Sequence, residues 1–154
     1  MRCIRGDGAL MSVFVDTNVL VYTRDDSEPD KQQRAQAWMA ELWESRTGRT
    51  SVQVLNEFYV TVTRKLSPAM PVAEARADVL DLGEWDPVVL TDALLGRAWA
   101  IEDRYGLFYW DSLIVAAAQV EGCRHLLTED LQDGLRLDSV TVVNPFEHHF
   151  GDLI

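Results

Sequence analysis

Short apolar runs alternate along this chain with longer segments whose apolar residues recur at helical spacing. Three of the runs, Val13–Val15, His125–Leu127 and Val140–Val143, are followed by polar or turn-forming residues, which is typical of buried strands. Connections long enough to hold a helix join strands that run in parallel. We therefore predict an α/β fold, a three-layer α/β/α sandwich with a mostly parallel central sheet.

Residues that start or stop helices bound most of the helical segments. Pro71 stands at the start of one segment and Gly83 at its end, while Gly106 and Gly122 close two others, as expected for helix termini. Thr50 and Gln53 have the spacing of a capping box, although Thr50–Val52 also fits a short strand. The predicted helices are 31–46, 50–66, 71–82, 92–104 and 111–121, and Val88–Leu90 is predicted as one further strand.

The length of 154 residues suits a single domain. We assign it to residues 12–150 and expect residues 1–11, which are polar and unpatterned, to be a disordered N-terminal extension, with Met11 as an alternative start. Cys3 and Cys123 do not suggest a disulfide framework, and no apolar stretch is long enough to cross a bilayer. A cytoplasmic protein without membrane contact is expected.

The charge balance is strongly acidic, with 25 Asp and Glu against 14 Lys and Arg and a formal net charge of -11. Taken alone, this balance disfavours nucleic-acid binding, because phosphate backbones are bound mainly by Lys and Arg. The objection weakens if several acids converge on one pocket, since bound divalent cations would then invert the local field.

Four acids occupy positions that lead to such a pocket, namely Asp16, Glu57, Asp111 and Asp130. Asp16 and Asp130 follow predicted strands, Glu57 lies within the predicted helix 50–66, and Asp111 occupies the first turn of the helix 111–121. Each position except that of Asp16 also has an ordinary explanation, as a helix-terminal, solvated or turn residue. A carboxylate at the end of a buried strand needs partners or a cation. Together the four would suit Mg²⁺ or Mn²⁺, as one or two ions, in a site that hydrolyses phosphodiesters.

The segments around these acids resemble the motifs of PIN domains. Val13–Leu20 resembles the opening strand motif, Leu55–Tyr59 the second motif and Tyr109–Ala118 the third. Leu126–Gln132 resembles the fourth acidic position, and Val143–Phe146 resembles the closing strand. The motifs occur in the family's order and cover nearly the whole chain, so the resemblance implies a PIN-like α/β sandwich.

The subgroup that the chain most resembles is the VapC-type toxins of bacterial toxin–antitoxin pairs. This resemblance implies a Mg²⁺- or Mn²⁺-dependent endoribonuclease that cuts RNA, forms a homodimer and is inhibited by a cognate antitoxin. The catalytic and metal-binding acids carried over by position are Asp16, Glu57, Asp111 and Asp130. The polar residues implied to support them are Thr17, Asn18 and Thr128.

Two other functional classes are open on sequence grounds. A phosphatase of the haloacid-dehalogenase type also begins with an apolar strand and an aspartate, but it requires a second aspartate where this chain has Asn18. A non-catalytic α/β binding module would use the same acids structurally. Metal binding that depends on both Asp16 and Asp111 would separate the nuclease from the module.

The chain also contains five tryptophans. We expect them to pack in the core or in a dimer interface rather than to stack on RNA bases, because most occur at helical apolar spacing. They are Trp38, Trp43, Trp85, Trp99 and Trp110.

Overall fold

The computed structural model describes residues 12–153, so the predicted extension, residues 1–11, lies outside the described residues. Its five strands form one sheet in the order β2-β1-β3-β5-β4. All neighbouring pairs are parallel except β4 and β5, which are antiparallel. The strands are β1 (Val13–Val15), β2 (Gly48–Arg49), β3 (His125–Leu127), β4 (Arg136–Leu137) and β5 (Val140–Val143).

Strand β1, an interior strand of the sheet, is buried on both of its faces. Val13, Phe14 and Val15 are all fully buried, and successive side chains of a strand point to opposite sides of the sheet. Since both sides of β1 are covered, the sheet is the middle layer of an α/β/α sandwich, and the predicted fold class is confirmed. The register aligns Val15 with Leu127 and Leu127 with Val143, so the three strands end at the same edge.

Within residues 12–153, the sheet is accompanied by six α-helices. The last two pack against each other, and the final helix also contacts β3 and β5. Side-chain caps explain two of the helix starts, because Ser51 accepts a hydrogen bond from the Val54 N–H and Thr91 accepts one from the Leu94 N–H. The helices are α1 (Thr17–Tyr22), α2 (Pro29–Ser45), α3 (Val52–Arg64), α4 (Val72–Leu82), α5 (Asp92–Tyr105) and α6 (Tyr109–Val120).

The structure departs from the predicted elements at several places, and strands β2 and β4 are additional to the predicted ones. The polar residues after β1 begin helix α1 instead of forming only a turn. Val88–Leu90 was wrongly predicted as a strand: Val88 forms a single parallel bridge with Ser51, and the next two residues are exposed. The cap of α3 is Ser51 rather than Thr50, whose hydroxyl instead donates to the Val15 carbonyl.

The order of the strands places a crevice beside β1. The chain passes from β1 through α1 and α2 to β2 on one side, and later returns to β3 on the other side. Ligands of open α/β sheets bind beyond the carboxyl ends of the strands at such a switch in direction. Among the helices of residues 12–153, none is both long and apolar enough to cross a membrane.

Candidate active site

Asp16 lies at the carboxyl end of β1 and caps helix α1. Its backbone is extended, and its Oδ1 accepts a hydrogen bond of 2.7 Å from the Thr17 N–H. The residue is only 6% exposed, because the strand that precedes it runs through the core. A carboxylate at a helix start gains from the free N–H groups there, yet this one is also withdrawn from water.

A polar network connects Asp16 to the segment that follows β3. The Thr128 hydroxyl donates to Asp16 Oδ2 at 2.9 Å. The Asn18 amide group donates to Thr128 Oγ1 at 2.8 Å, to Asp130 Oδ2 at 3.1 Å and, more weakly, to Asp16 Oδ2 at 3.4 Å. Asn18 Oδ1 in turn accepts from the Glu129 N–H. The ends of β1 and β3, more than a hundred residues apart in sequence, are thereby held together.

Glu57 reaches the same edge of the sheet from helix α3. Thr17 donates from its hydroxyl to Glu57 Oε1 at 2.6 Å. The Gln53 side chain, one turn earlier on the helix, donates to Glu57 Oε2 at 3.1 Å and to the Trp110 carbonyl at 3.3 Å. Through Gln53, the start of α3 is tied to the start of α6, where Asp111 lies in the first turn.

The carboxylates act on one another electrostatically. Burial raises the pKa of Asp16 from 3.8 to about 7, the bonds from Thr17 and Thr128 partly offset this, and the charges of Asp130 and Glu57 raise the pKa further. Burial also raises the pKa of Asp111, followed by the same two charges. All four acids therefore contribute to one region of negative potential, although they come from four different parts of the chain.

The sequence model of the PIN-domain family matches residues 13–136, which is more than half of the chain. The chain belongs to the PIN-domain family. No curated protein matches it. Membership gives the chain the fold of metal-dependent nucleases, a family that generally uses Mg²⁺ or Mn²⁺, and all four acids fall within the matched residues.

The donor set of this PIN domain fits a hydrated divalent cation. Mg²⁺ prefers oxygen ligands and keeps several of its waters, and the charges that act on Asp16 and Asp111 are themselves negative. Within residues 12–153, no three His, Cys, Asp or Glu side chains are grouped so that they could hold a metal ion. The fit therefore lies in the oxygen chemistry and the negative potential of the donor set, while Asn18 holds Asp16 and Asp130 through its amide group.

Gln53 is the site residue that the sequence reasoning misassigned. Its spacing from Thr50 suggested a capping box, but its side chain binds Glu57 and the Trp110 carbonyl instead. The better signal was its spacing of four residues from Glu57, which places both on one face of a helix. Glu129 is a second addition: it forms an ion pair with Lys31 at 2.9 Å and accepts a hydrogen bond from the Tyr22 hydroxyl.

Proposed function

We propose that this PIN domain is a Mg²⁺- or Mn²⁺-dependent endoribonuclease and the toxin of a toxin–antitoxin pair. The observation that carries the proposal is the convergence of Asp16, Glu57, Asp111 and Asp130, two of which have raised pKa values caused by burial and by the other acids. Displaced pKa values in a crevice favour a functional site over four independent surface acids. Cations are what such a cluster attracts.

The four acids are assigned as the residues that hold the metal and the reacting groups. Bound Mg²⁺ or Mn²⁺ supplies Lewis-acid polarisation of the phosphodiester and makes water more acidic. Thr17 and Thr128 orient Glu57 and Asp16 through their hydroxyl donors, and Asn18 fixes the spacing of Asp16 and Asp130. Such supporting contacts set ligand geometry.

The products follow from the composition of the site. Among the side chains of this network there is no histidine pair to promote attack by the ribose 2′-hydroxyl. Water therefore attacks the phosphorus atom in line, the bond to the 3′-oxygen breaks, and the ends are a 5′-phosphate and a 3′-hydroxyl. Detection of 2′,3′-cyclic phosphate ends would contradict this mechanism.

The proposed test is cleavage of total cellular RNA by the purified chain with added Mg²⁺ or Mn²⁺. We expect discrete fragments, their loss in EDTA, and a fall of about 100-fold or more for the Asp16→Asn/Asp111→Asn variant, because both the cation and its ligands are needed. The Asp92→Asn/Asp103→Asn variant is the control, since it removes two exposed acids of α5 and the same net charge. Equal cleavage by the two variants would refute the assignment.

The regulatory partner in this proposal is an antitoxin with a basic, amphipathic segment. A cavity of about 540 Å³ between the first four helices has an apolar lining that includes Leu20, Met39 and Phe58, and Asp81 and Glu84 also line it. Apolar residues of the segment would fill this cavity, while its Lys or Arg would approach the acidic crevice. The homodimer, the cytoplasmic location and the domain limits 12–150 are parts of the same proposal.

This proposal can be tested with the candidate antitoxin whose gene lies nearest to the gene of this chain. Binding should weaken as salt rises, because charge attraction is screened, and should weaken in the Asp16→Asn/Asp111→Asn variant. Isothermal titration calorimetry at two salt concentrations measures both effects. A complex that responds to neither change would rule out the charge-based recognition.

A phosphatase of the haloacid-dehalogenase type is not favoured. Its general acid would have to stand two residues after Asp16, where Asn18 uses its amide group as a donor to Thr128 and Asp130. The N–H groups of an amide are far too weakly acidic to serve as a general acid.

A further inference from the structure

Two aromatic side chains beside Asp111 are exposed although the helix that follows is buried. Phe108 is 83% exposed and Trp110 is 61% exposed, whereas residues 112–118 of α6 are all buried. Isolated exposed apolar residues are ordinary, but grouped ones mark sites of interaction. Trp110 directly precedes Asp111 in the first turn of α6 and Phe108 is the residue before that helix, so both are neighbours of a site acid along the chain.

Hydrogen bonds fix the backbone at both residues, and a ring contact also fixes the Trp110 side chain. The Phe108 carbonyl accepts from the N–H of Ser112 at 2.9 Å and from its hydroxyl at 3.0 Å. The Trp110 carbonyl accepts from Gln53, and the Trp110 ring packs edge-on against Tyr109 with centroids 5.3 Å apart. Tyr109 itself packs against the core. Rings presented on a rigid element bind with a small loss of conformational freedom.

Because the chain is strongly acidic, contacts that need no positive charge are the better source of affinity for RNA. With a net charge of -11, phosphate backbones are repelled unless cations intervene. Three cationic side chains are already paired with acids, Lys31 with Glu129, and Arg24 and Arg104 with other carboxylates. Stacking of bases on aromatic rings needs no positive charge and tolerates any sequence.

We propose that Phe108 and Trp110 form a stacking platform for unpaired RNA bases next to the scissile phosphate. The inference rests on the proposed ribonuclease function and restricts its substrate to single-stranded RNA at the point of cleavage. The platform binds and positions the RNA, while the carboxylates carry out the reaction. A base unstacked from its neighbours onto these rings leaves its phosphate facing the acidic crevice.

The test combines kinetics with binding of a short single-stranded RNA that contains 2-aminopurine, whose fluorescence falls when it stacks. Binding is measured with Ca²⁺ as the cation and cleavage with Mg²⁺. Phe108→Ala and Trp110→Ala are each expected to raise Kd and KM about 10-fold, with kcat within about twofold of the wild type. Quenching of 2-aminopurine should fall in both variants and persist in Trp110→Phe, which keeps an aromatic ring.

Trp99→Ala is the matched control. Trp99 is also more than half exposed, at 55%, but it lies on α5, which carries none of the four site acids. It should bind and cleave like the wild type. Unchanged Kd in Phe108→Ala and Trp110→Ala would overturn the platform. Light scattering supplies a second way to overturn it. If these variants convert a dimer to a monomer, and RNA binding falls only when that happens, the rings form an interface between copies of the chain and not a platform for RNA.

The platform and the nuclease can fail separately. If the wild type cleaves RNA and the aromatic variants behave like it, only the platform is wrong. If the wild type cleaves no RNA, the proposed function fails, and the 2-aminopurine signal still decides whether the rings stack on bases.

Discussion

The metal-free protein is expected to lose stability as pH rises from about 4 to about 7, and the Asp16→Asn variant is expected to lose much less. Asp16 has a pKa of about 7 in the folded chain against an ordinary value of 3.8. Between these values the unfolded chain has released the proton and the folded chain retains it, so folding becomes less favourable with each pH unit. Above pH 7 the loss is complete.

The size of this effect follows from the shift. The difference between about 7 and 3.8 is about three pKa units, which corresponds to about 4 kcal/mol at roughly 1.4 kcal/mol per unit. The residue is almost fully buried, so little of this is lost to solvent screening. The raised pKa of Asp111 also makes stability fall as pH rises. The lowered pKa of Asp133 beside His148 has the opposite effect, because stability is lost there as pH falls below the ordinary pKa of an aspartate.

The measurement is urea unfolding in EDTA between about pH 5 and about pH 8, followed by circular dichroism. The asparagine amide oxygen can still accept from the Thr17 N–H, so the variant should be the more stable protein at the upper pH. Added Mg²⁺ should restore stability to the wild type alone, because it binds the ionised form. Parallel pH profiles for the two proteins would show that Asp16 is not desolvated as described.

The second large effect is expected for Trp38→Ala, which should lower the free energy of unfolding by about 3–5 kcal/mol. Trp38 is 1% exposed on α2. Its indole N–H donates to the Pro145 carbonyl at 2.9 Å and to the His148 carbonyl at 3.2 Å, and its ring meets Phe150 edge-on. The substitution leaves a cavity and removes two hydrogen bonds and a ring contact to residues 144–153.

Comparison variants separate the two contributions of Trp38. Trp38→Phe keeps most of the apolar volume and loses the indole donor, but Arg34 still donates to the His148 carbonyl at 3.0 Å, so a loss of about 1 kcal/mol is expected. Trp99→Ala, on an exposed surface, should cost about 0.5 kcal/mol or less. Urea unfolding of the three variants measures the loss of unfolding free energy in each. A loss for Trp38→Ala as small as that for Trp99→Ala would contradict the buried position of Trp38.

The tryptophans show where periodicity alone was insufficient. Trp38 and Trp85 are buried as expected for core residues, but Trp99 and Trp110 are more than half exposed in the isolated chain. Helical spacing indicates that residues share a face, yet the face that becomes buried depends on what packs against the helix. Trp110 lies in the first turn of α6, before the buried stretch that starts at Ser112, and its orientation is fixed by its neighbours.

Local sequence was sufficient for the elements whose stabilisation is local or strongly apolar. The runs that form β1, β3 and β5 are buried strands because leucine and β-branched residues there can be covered on both faces of a sheet. Helices α4, α5 and α6 begin and end close to their predicted limits because proline and glycine act at the helix ends. These elements, in this order, determined the fold class and the family.

Tertiary structure decided the elements and contacts whose partners are distant in sequence. Strands β2 and β4 have two residues each and exist only through their pairing with β1 and β5, while Val88–Leu90 has enough apolar residues but forms a single bridge. Asp16 and Asp111 were predicted from the sequence as site residues, but their raised pKa values arise from burial and from the charges of Glu57 and Asp130, which tertiary packing brings to the same sheet edge. The sequence supplies the residue types of a site and their order along the chain. Only packing sets the local dielectric constant and the distances between the charges, and these decide how strongly the charges interact.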